Sequence, residues 1–156
     1  MNPATVPWVS SGLLALLTGA IISKHLDPGA PSRTSAAAAS LLCTLCLGFA
    51  AAACIDSPAH AFTDPLIPWL KTDALNAVTM TVFALITFIT LLMSPTRESD
   101  GSHHAGLLLI SLSSLTATAA AHPILFVLGW WGTGIPFLTG MLGPLAYPRT
   151  FLAGFL

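Results

Sequence analysis

The sequence predicts an all-α integral membrane protein, a single domain built as a bundle of about five transmembrane helices. The chain of 156 residues is 54% hydrophobic and only 7% charged, whereas soluble domains carry about 25% charged residues. Its mean hydropathy is +0.83. Five apolar stretches are separated by short polar or proline-containing breaks. We therefore expect no soluble catalytic domain, no enzyme activity of its own and no bound cofactor.

The first two predicted spans cover residues 7–23 and 35–55. Trp8 lies near one end of the first span, and Lys24 and His25 lie at the other, as interfacial anchors do. Because no basic residue precedes this span, we expect it to be retained rather than cleaved as a signal peptide. The second span is rich in alanine, which predicts close packing against other helices.

The middle of the chain predicts a surface segment followed by the third span. Residues 56–71 contain three prolines, which are incompatible with a long regular helix. Trp69 and Lys71 indicate that this segment lies at the membrane surface. The third span covers residues 73–93 and begins at Asp73.

The last two predicted spans cover residues 105–121 and 123–142, after a polar and exposed loop at residues 94–104. The fifth span contains an unusual number of helix-breaking residues. In a membrane such residues let helices approach closely, and neighbouring helices satisfy the freed backbone groups. We therefore predict that the fifth span packs inside the bundle through Gly129, Gly132, Gly134 and Pro136.

The basic residues predict the orientation of the chain. With five spans, four of the five fall on one side of the membrane, and only Lys71 falls on the other. By the positive-inside rule the first group is cytoplasmic. The N-terminus is then outside and the C-terminus inside, in what we expect to be a bacterial inner membrane. The four residues are Lys24, Arg33, Arg97 and Arg149.

Few ionisable residues fall within the predicted spans, although such residues usually mark function. Asp73 is a candidate for an ion path, or alternatively the N-cap of the third span. His122 is a candidate proton relay, or alternatively a turn histidine bonded to water or backbone. Two polar stripes, Asn76-Thr79-Thr87-Thr90 and Ser111-Ser114-Thr118, either line a wet path or serve helix packing.

The sequence predicts no metal site. The spacing Cys43-x-x-Cys46 fits a redox or zinc pair, but no second pair completes it, and Cys54 fits a small apolar role. Haem ligation by two histidines requires them on facing helices. The histidines instead fall at span ends or in loops, at His25, His60, His103, His104 and His122.

Two segments of the chain form recognisable patterns. The first is Pro68-Trp69 with Thr72-Asp73-Ala-Leu-Asn-Ala-Val-Thr-Met80, and the second is the apolar run Ile124-Leu-Phe-Val-Leu-Gly129-Trp130. They resemble the N-terminal part of antiporter-like membrane subunits, the family of respiratory complex I, Mrp-type antiporters and DAB-type inorganic-carbon complexes. In that family a pattern similar to the first segment opens the third span, and a run similar to the second ends in Gly-Trp-Glu. The family's glutamate falls on Trp131, and the family's later spans, with their buried lysines, have no counterpart.

This resemblance implies a truncated or split ion-translocating subunit within a larger complex. Such a subunit scaffolds the complex or completes a proton or ion path together with partner chains. Trp131 cannot carry a proton, so we do not expect the family's proton chemistry at this position. Two alternatives are a purely structural accessory subunit of a respiratory or photosynthetic complex, and a small haem- or quinone-binding electron carrier. The expected partners are other membrane subunits and the lipid bilayer. The net charge of −1 argues against nucleic acid.

Overall fold

The computed structural model describes residues 6–27, 29–56, 61–94 and 101–141, with side chains as far as residue 135. The prediction of a mainly α-helical chain is confirmed, and each of five helices overlaps one predicted span. A two-stranded antiparallel ribbon, β1 (Phe62–Thr63) with β2 (Lys71–Thr72), joins the second helix to the third. The helices are α1 (Trp8–His25), α2 (Ala30–Asp56), α3 (Ala74–Met93), α4 (Gly101–Ala119) and α5 (Pro123–Met141).

Two of these helices, α2 and α3, are long and apolar enough to cross a membrane, judged by length and composition over the described residues. The described part of α5 contains a shorter apolar helix, Pro123–Ile135. Core helices of soluble proteins share these two properties. The distribution of large and small side chains is therefore the more informative observation.

The helices pack in an order that leaves α5 on the outside. The α1 helix contacts α2 and α4, α2 contacts α3, and α4 contacts α5. We call one end of the bundle the Arg33 end; it holds the C-termini of α1 and α3 and the N-termini of α2 and α4. The opposite end, the Asp64 end, holds residues 61–73, which we call the ribbon segment.

Large apolar side chains line the outside of the bundle, while small residues fill much of its interior. Alanines such as Ala36 and Ala77 are fully buried, as are the hydroxyl residues Ser32 and Ser40. Leu14, Phe49 and many other Leu, Ile and Phe side chains are exposed. A water-soluble bundle shows the reverse arrangement, because exposed apolar area is unfavourable in water.

Several helix contacts depend on glycine. At Gly12 a Cβ atom would lie 3.3 Å from the sulfur of Cys43, and at Gly19 it would overlap the Cβ of Ala39. Both contacts bring α1 against the alanine-rich α2. Close backbone approach through small residues is typical of helix packing in membranes. The turn between α1 and α2 also requires glycine, since Gly29 has a φ of 101°.

The ribbon segment contains two short strands and no long helix, as its prolines predict. After β1 the chain turns, with the Leu70 amide donating to the Ile67 carbonyl at 2.9 Å and the Asp64 amide donating to the Leu70 carbonyl at 3.0 Å. Leu70 forms an isolated β-bridge with Ala120. Because Asp64 also accepts a hydrogen bond from the Ser10 amide, the segment joins the start of α1 to the turn between α4 and α5.

The fourth helix begins earlier than the sequence suggests. It starts at Gly101 rather than at residue 105, so His103 and His104 lie in its first turn and not in an exposed loop. His104 is fully buried. The exposed-loop interpretation was wrong for this residue, because its ring packs inward against α2 and becomes part of the helix interface.

We predict that Gly19→Ala destabilises the bundle and that Gly106→Ala does not. The added methyl group at position 19 meets Ala39, and overpacking of this kind costs about 1–3 kcal/mol. At Gly106 no atom lies within 4 Å of the added Cβ, so the higher helix propensity of alanine stabilises by up to about 1 kcal/mol. Thermal unfolding in mild detergent measures both. Equal midpoints for the two variants would contradict the α1–α2 contact described here.

Candidate functional site

Asp73 forms the N-cap of α3. Its Oδ1 atom accepts a hydrogen bond from the Asn76 amide at 2.7 Å, and the residue is exposed at the Asp64 end. A capping carboxylate satisfies one of the free amides of the first turn and interacts favourably with the helix dipole. The N-cap of the third span was one of the two roles that the sequence suggested for Asp73, the other being part of an ion path.

His122 lies in the turn between α4 and α5. Its Nδ1 atom accepts a hydrogen bond from the Ile124 amide at 3.3 Å, and its ring lies 5.9 Å from that of Trp69. The Ala121 amide donates to the Trp69 carbonyl at 2.8 Å. These contacts attach the ribbon segment to the last helix, and the imidazole is exposed.

The polar stripes of α3 and α4 are mainly bonded within their own helices. The hydroxyls of Thr79, Thr90 and Thr118 each donate to a carbonyl three or four residues earlier. One pair joins the two helices, since the buried hydroxyls of Thr87 and Ser111 lie 2.8 Å apart. Such bonds support helix packing in an apolar environment.

The glycines of α5 differ in what they contact. A Cβ at Gly129 would lie 2.8 Å from the Ala117 amide nitrogen, and one at Gly132 would lie 2.5 Å from the Ser113 hydroxyl. These two positions hold α5 close to α4. Gly134 has no atom within 4 Å of such a Cβ and makes no close contact within the described chain. Pro136 lies in α5 beyond the described side chains.

The outer face of α5 carries two exposed tryptophans. Trp130 is 66% exposed and Trp131 is 62% exposed, and the Trp130 ring stacks on Phe126 with the ring centres 6.2 Å apart. We call this surface the tryptophan face; it comprises Phe126, Trp130, Trp131 and Ile135. Because α5 packs mainly on α4, this face is directed away from the bundle.

A buried polar cluster at the Arg33 end was not predicted. The His104 Nδ1 atom lies 2.9 Å from the Ser32 hydroxyl, and both residues are fully buried between α2 and α4. Ser23 is also fully buried, and its hydroxyl has no hydrogen-bond partner among the described residues. The sequence carries one signal for the burial of His104. Its spacing from Leu108, Ser111 and Leu115 places all four on the same, buried face of α4.

A buried carboxylate at the Asp64 end was also missed. One oxygen of Asp64 accepts from the Ser10 amide at 2.9 Å, and the other accepts from the amides of Leu66 and Ile67 at 3.0 and 3.2 Å. Ser10 lies in the first turn of α1. Asp64 therefore caps a helix 54 residues away in sequence, a favourable place for negative charge. In the sequence, the Asp64-Pro65 pair predicts a turn, but it does not indicate that Ser10 of α1 is the partner of Asp64.

At the opposite end of the bundle, Arg33 binds the C-terminus of a helix. Its guanidinium donates to the carbonyls of Ser94 and Leu92, at 3.3 and 3.5 Å, where α3 ends. A cation at a helix C-terminus is favourable because the last carbonyls have no helical partner.

The described residues contain no cluster of three or more His, Cys, Asp or Glu side chains that could hold a metal ion. His25, His103 and His122 are exposed, whereas His104 bonds Ser32; His60 lies outside the described residues. The thiols of Cys43, Cys46 and Cys54 are free. These positions offer no pair of inward-facing histidines for haem.

Comparison with protein-family models, with curated proteins and with solved structures finds no match to this chain.

We predict that His104→Ala lowers the thermal stability of the detergent-solubilised protein more than His103→Ala does. Removing the buried imidazole leaves a cavity and deprives Ser32 of its partner, which together cost about 2–4 kcal/mol. The neighbouring His103 is exposed and serves as the matched control. Equal unfolding midpoints would show that the buried cluster does not hold α2 against α4.

Proposed function

We propose that this chain is a small integral membrane subunit of a larger complex, with five spans and a scaffolding role. The exposed large apolar side chains and the small, hydroxyl-bearing interior support the membrane location, because lipid tails accept such a surface and water does not. Length and composition indicate that α2 and α3 could span a membrane, and the proposal extends this to all five helices.

The placement of charge supports the same location. The described charged residues lie at the two ends of the bundle; the Arg33 end carries Lys24, Asp27 and Arg33, and the Asp64 end carries Asp56, Asp64, Lys71 and Asp73. Between them α3 runs for 20 residues, or about 30 Å at 1.5 Å per residue. The hydrocarbon core of a bilayer is about 30 Å thick.

The basic residues support an orientation with the Arg33 end in the cytoplasm. Lys24 and Arg33 lie there, whereas Lys71 is the one described Lys or Arg at the Asp64 end. The positive-inside rule then assigns the ribbon segment to the outer surface of what we propose is a bacterial inner membrane.

The proposal of a partner subunit rests on the tryptophan face. Large, rigid aromatic side chains dominate the energetics of many protein interfaces. Within this chain α5 is held mainly by α4, and Trp130 and Trp131 remain on the outside. A helix of another membrane subunit placed against this face would give α5 a second neighbour. Trp131 is also the position at which the resemblance to antiporter-like subunits puts a glutamate.

Completion of an ion path with the partner is the second candidate role. It follows from the resemblance of residues 68–80 and 124–130 to antiporter-like subunits. Among the described residues, ionisable side chains other than cysteine lie at the bundle ends, and Asp73 and His122 are bonded locally. Buried groups for proton transfer would then come from the partner chain, which favours scaffolding as the contribution of this chain.

We predict that Trp131→Ala reduces co-purification of the partner from native membranes. Loss of an interface tryptophan that contributes about 2 kcal/mol weakens association about 30-fold. Ile86→Ala on α3 is the control, since Ile86 is exposed to a similar degree, 56%, on a different helix. Quantitative mass spectrometry of the tagged protein measures partner recovery. Unchanged recovery with Trp131→Ala, or equal loss with both variants, would contradict the role of this face.

We predict opposite labelling of the two ends of the bundle by a membrane-impermeant maleimide added to intact cells. In a background with Cys43, Cys46 and Cys54 replaced by alanine, Leu66→Cys is labelled from outside, because Leu66 is 68% exposed in the ribbon segment. Lys24→Cys at the Arg33 end is labelled only after permeabilisation. The reverse pattern would contradict the orientation, and labelling of both in intact cells would contradict the spanning arrangement.

A further inference from the structure

His122 occupies the N-cap position of α5. The helix begins at Pro123, and the His122 carbonyl accepts the first helical hydrogen bond, from the Phe126 amide at 3.1 Å. The side chain also takes part, since the His122 Nδ1 atom accepts from the Ile124 amide at 3.3 Å. A side-chain acceptor that bonds the second or third amide of a helix is the usual form of an N-cap. Here the acceptor is an imidazole nitrogen instead of an oxygen.

This cap requires a neutral imidazole. A neutral imidazole has one nitrogen that accepts and one that donates, whereas both nitrogens donate in the protonated form. Nδ1 therefore accepts from Ile124 only in the neutral tautomer that carries its proton on Nε2. Protonation removes the acceptor and places a positive charge at the positive end of the α5 dipole, where a cation is unfavourable. Histidine is the side chain that ordinarily changes its charge between about pH 5 and 8.

The ring of Trp69 offers the protonated imidazole a different partner. The centres of the His122 and Trp69 rings are 5.9 Å apart, and a cation within about 6 Å of a tryptophan ring is attracted to its π system. The Trp69 carbonyl accepts from the Ala121 amide at 2.8 Å, which keeps the ribbon segment beside the turn. Protonation thus favours the contact of His122 with the ribbon segment over its contact with α5.

The charged groups of the neighbouring elements do not replace the lost cap. In the ribbon segment, Asp64 is bonded to three amides and Asp73 caps α3, while Lys71 has the same sign of charge as an imidazolium. The described side chains of α4 after His104, and those of α5 as far as residue 135, include no charged or titratable group. The charge of His122 therefore decides whether the first turn of α5 is capped.

The first turn of α5 also supports the tryptophan face. Phe126, whose amide bonds the His122 carbonyl, stacks on Trp130 with the ring centres 6.2 Å apart. The close contacts of α5 with α4, at Gly129 and Gly132, lie beyond this turn. Loosening of the first turn consequently displaces Phe126 and leaves the tryptophan face incomplete at its end nearest the ribbon segment.

We propose that His122 is a pH-sensitive cap of α5 that regulates the tryptophan face from the outer surface of the membrane. Neutral His122 holds the first turn, and the face is complete. Protonated His122 turns to Trp69, and the first turn loosens. The cap is a property of this chain alone, whereas the regulation of partner binding rests on the function proposed above.

The cap is tested with the full chain in lipid nanodiscs, without a partner. Nitrogen-15 NMR of the imidazole at pH 8 is expected to show Nδ1 unprotonated and Nε2 protonated. The second measurement is the protection of the Ile124 amide against hydrogen exchange, corrected for the intrinsic exchange rate at each pH. Between pH 8 and pH 5 we expect this protection to fall about fivefold, the effect of losing an average N-cap.

Two variants separate His122 from the other histidines. In His122→Asn the amide oxygen caps the helix without titrating, so the protection of Ile124 is expected to be high at both pH values. In His122→Ala it is expected to be low at both. An equal fall in the wild type and His122→Asn, unchanged protection in the wild type, or a proton on Nδ1 at pH 8 would overturn the cap.

The regulation is tested by recovery of the partner from native membranes. Between pH 8 and pH 5 we expect recovery with the wild-type chain to fall by up to about fivefold, since the cap changes binding by no more than its own equilibrium shifts. Recovery with His122→Asn is expected to stay constant. A pH-dependent cap with constant recovery in the wild type would overturn the regulation. Unchanged recovery with Trp131→Ala would instead contradict the proposed function, and the cap measured in nanodiscs would stand.

Discussion

Close packing of helices through small residues is the constraint on which the rest of this structure depends. Gly19 meets Ala39 where α1 crosses α2, and Gly129 and Gly132 meet Ser113 and Ala117 where α5 crosses α4. With little side-chain volume at these crossings, many of the large Leu, Ile and Phe side chains point outward, although leucines such as Leu16 and Leu108 are buried. In lipid the outward apolar surface carries no penalty, so helix association relies on packing and a few buried hydrogen bonds. The Thr87–Ser111 and Ser32–His104 contacts are bonds of this kind.

The two ends of the bundle are fixed by polar contacts between distant parts of the chain. Asp64 caps α1, and Arg33 binds the last carbonyls of α3. Each contact satisfies backbone groups that a helix end leaves free, in positions where the sign of the charge agrees with the helix dipole. The two ion-path candidates, Asp73 and His122, are likewise bonded to backbone amides near them in the chain, which favours the scaffolding role that we propose.

The helices were largely predictable from the sequence, because apolar stretches of span length and proline-containing breaks are local signals. The polar clusters were not. Ser32 and His104 are separated by 72 residues and Ser10 and Asp64 by 54, and no local pattern states which distant group a buried side chain meets. The glycines of α5 show the same limit. Four helix breakers predicted a tightly packed helix, yet Gly129 and Gly132 contact α4 while Gly134 borders open space, since only tertiary structure determines which face turns inward.

We propose that α5 joins this chain to a second membrane polypeptide through its aromatic face, because its opposite face packs on α4. The most direct test of that claim places a photoreactive amino acid at position 131 and irradiates native membranes containing the full chain. The account predicts one dominant adduct with a second membrane polypeptide, lost when the photoreactive group is moved to position 86 on α3. Adducts with lipid alone at position 131, or recovery of the chain in the soluble fraction, would contradict it.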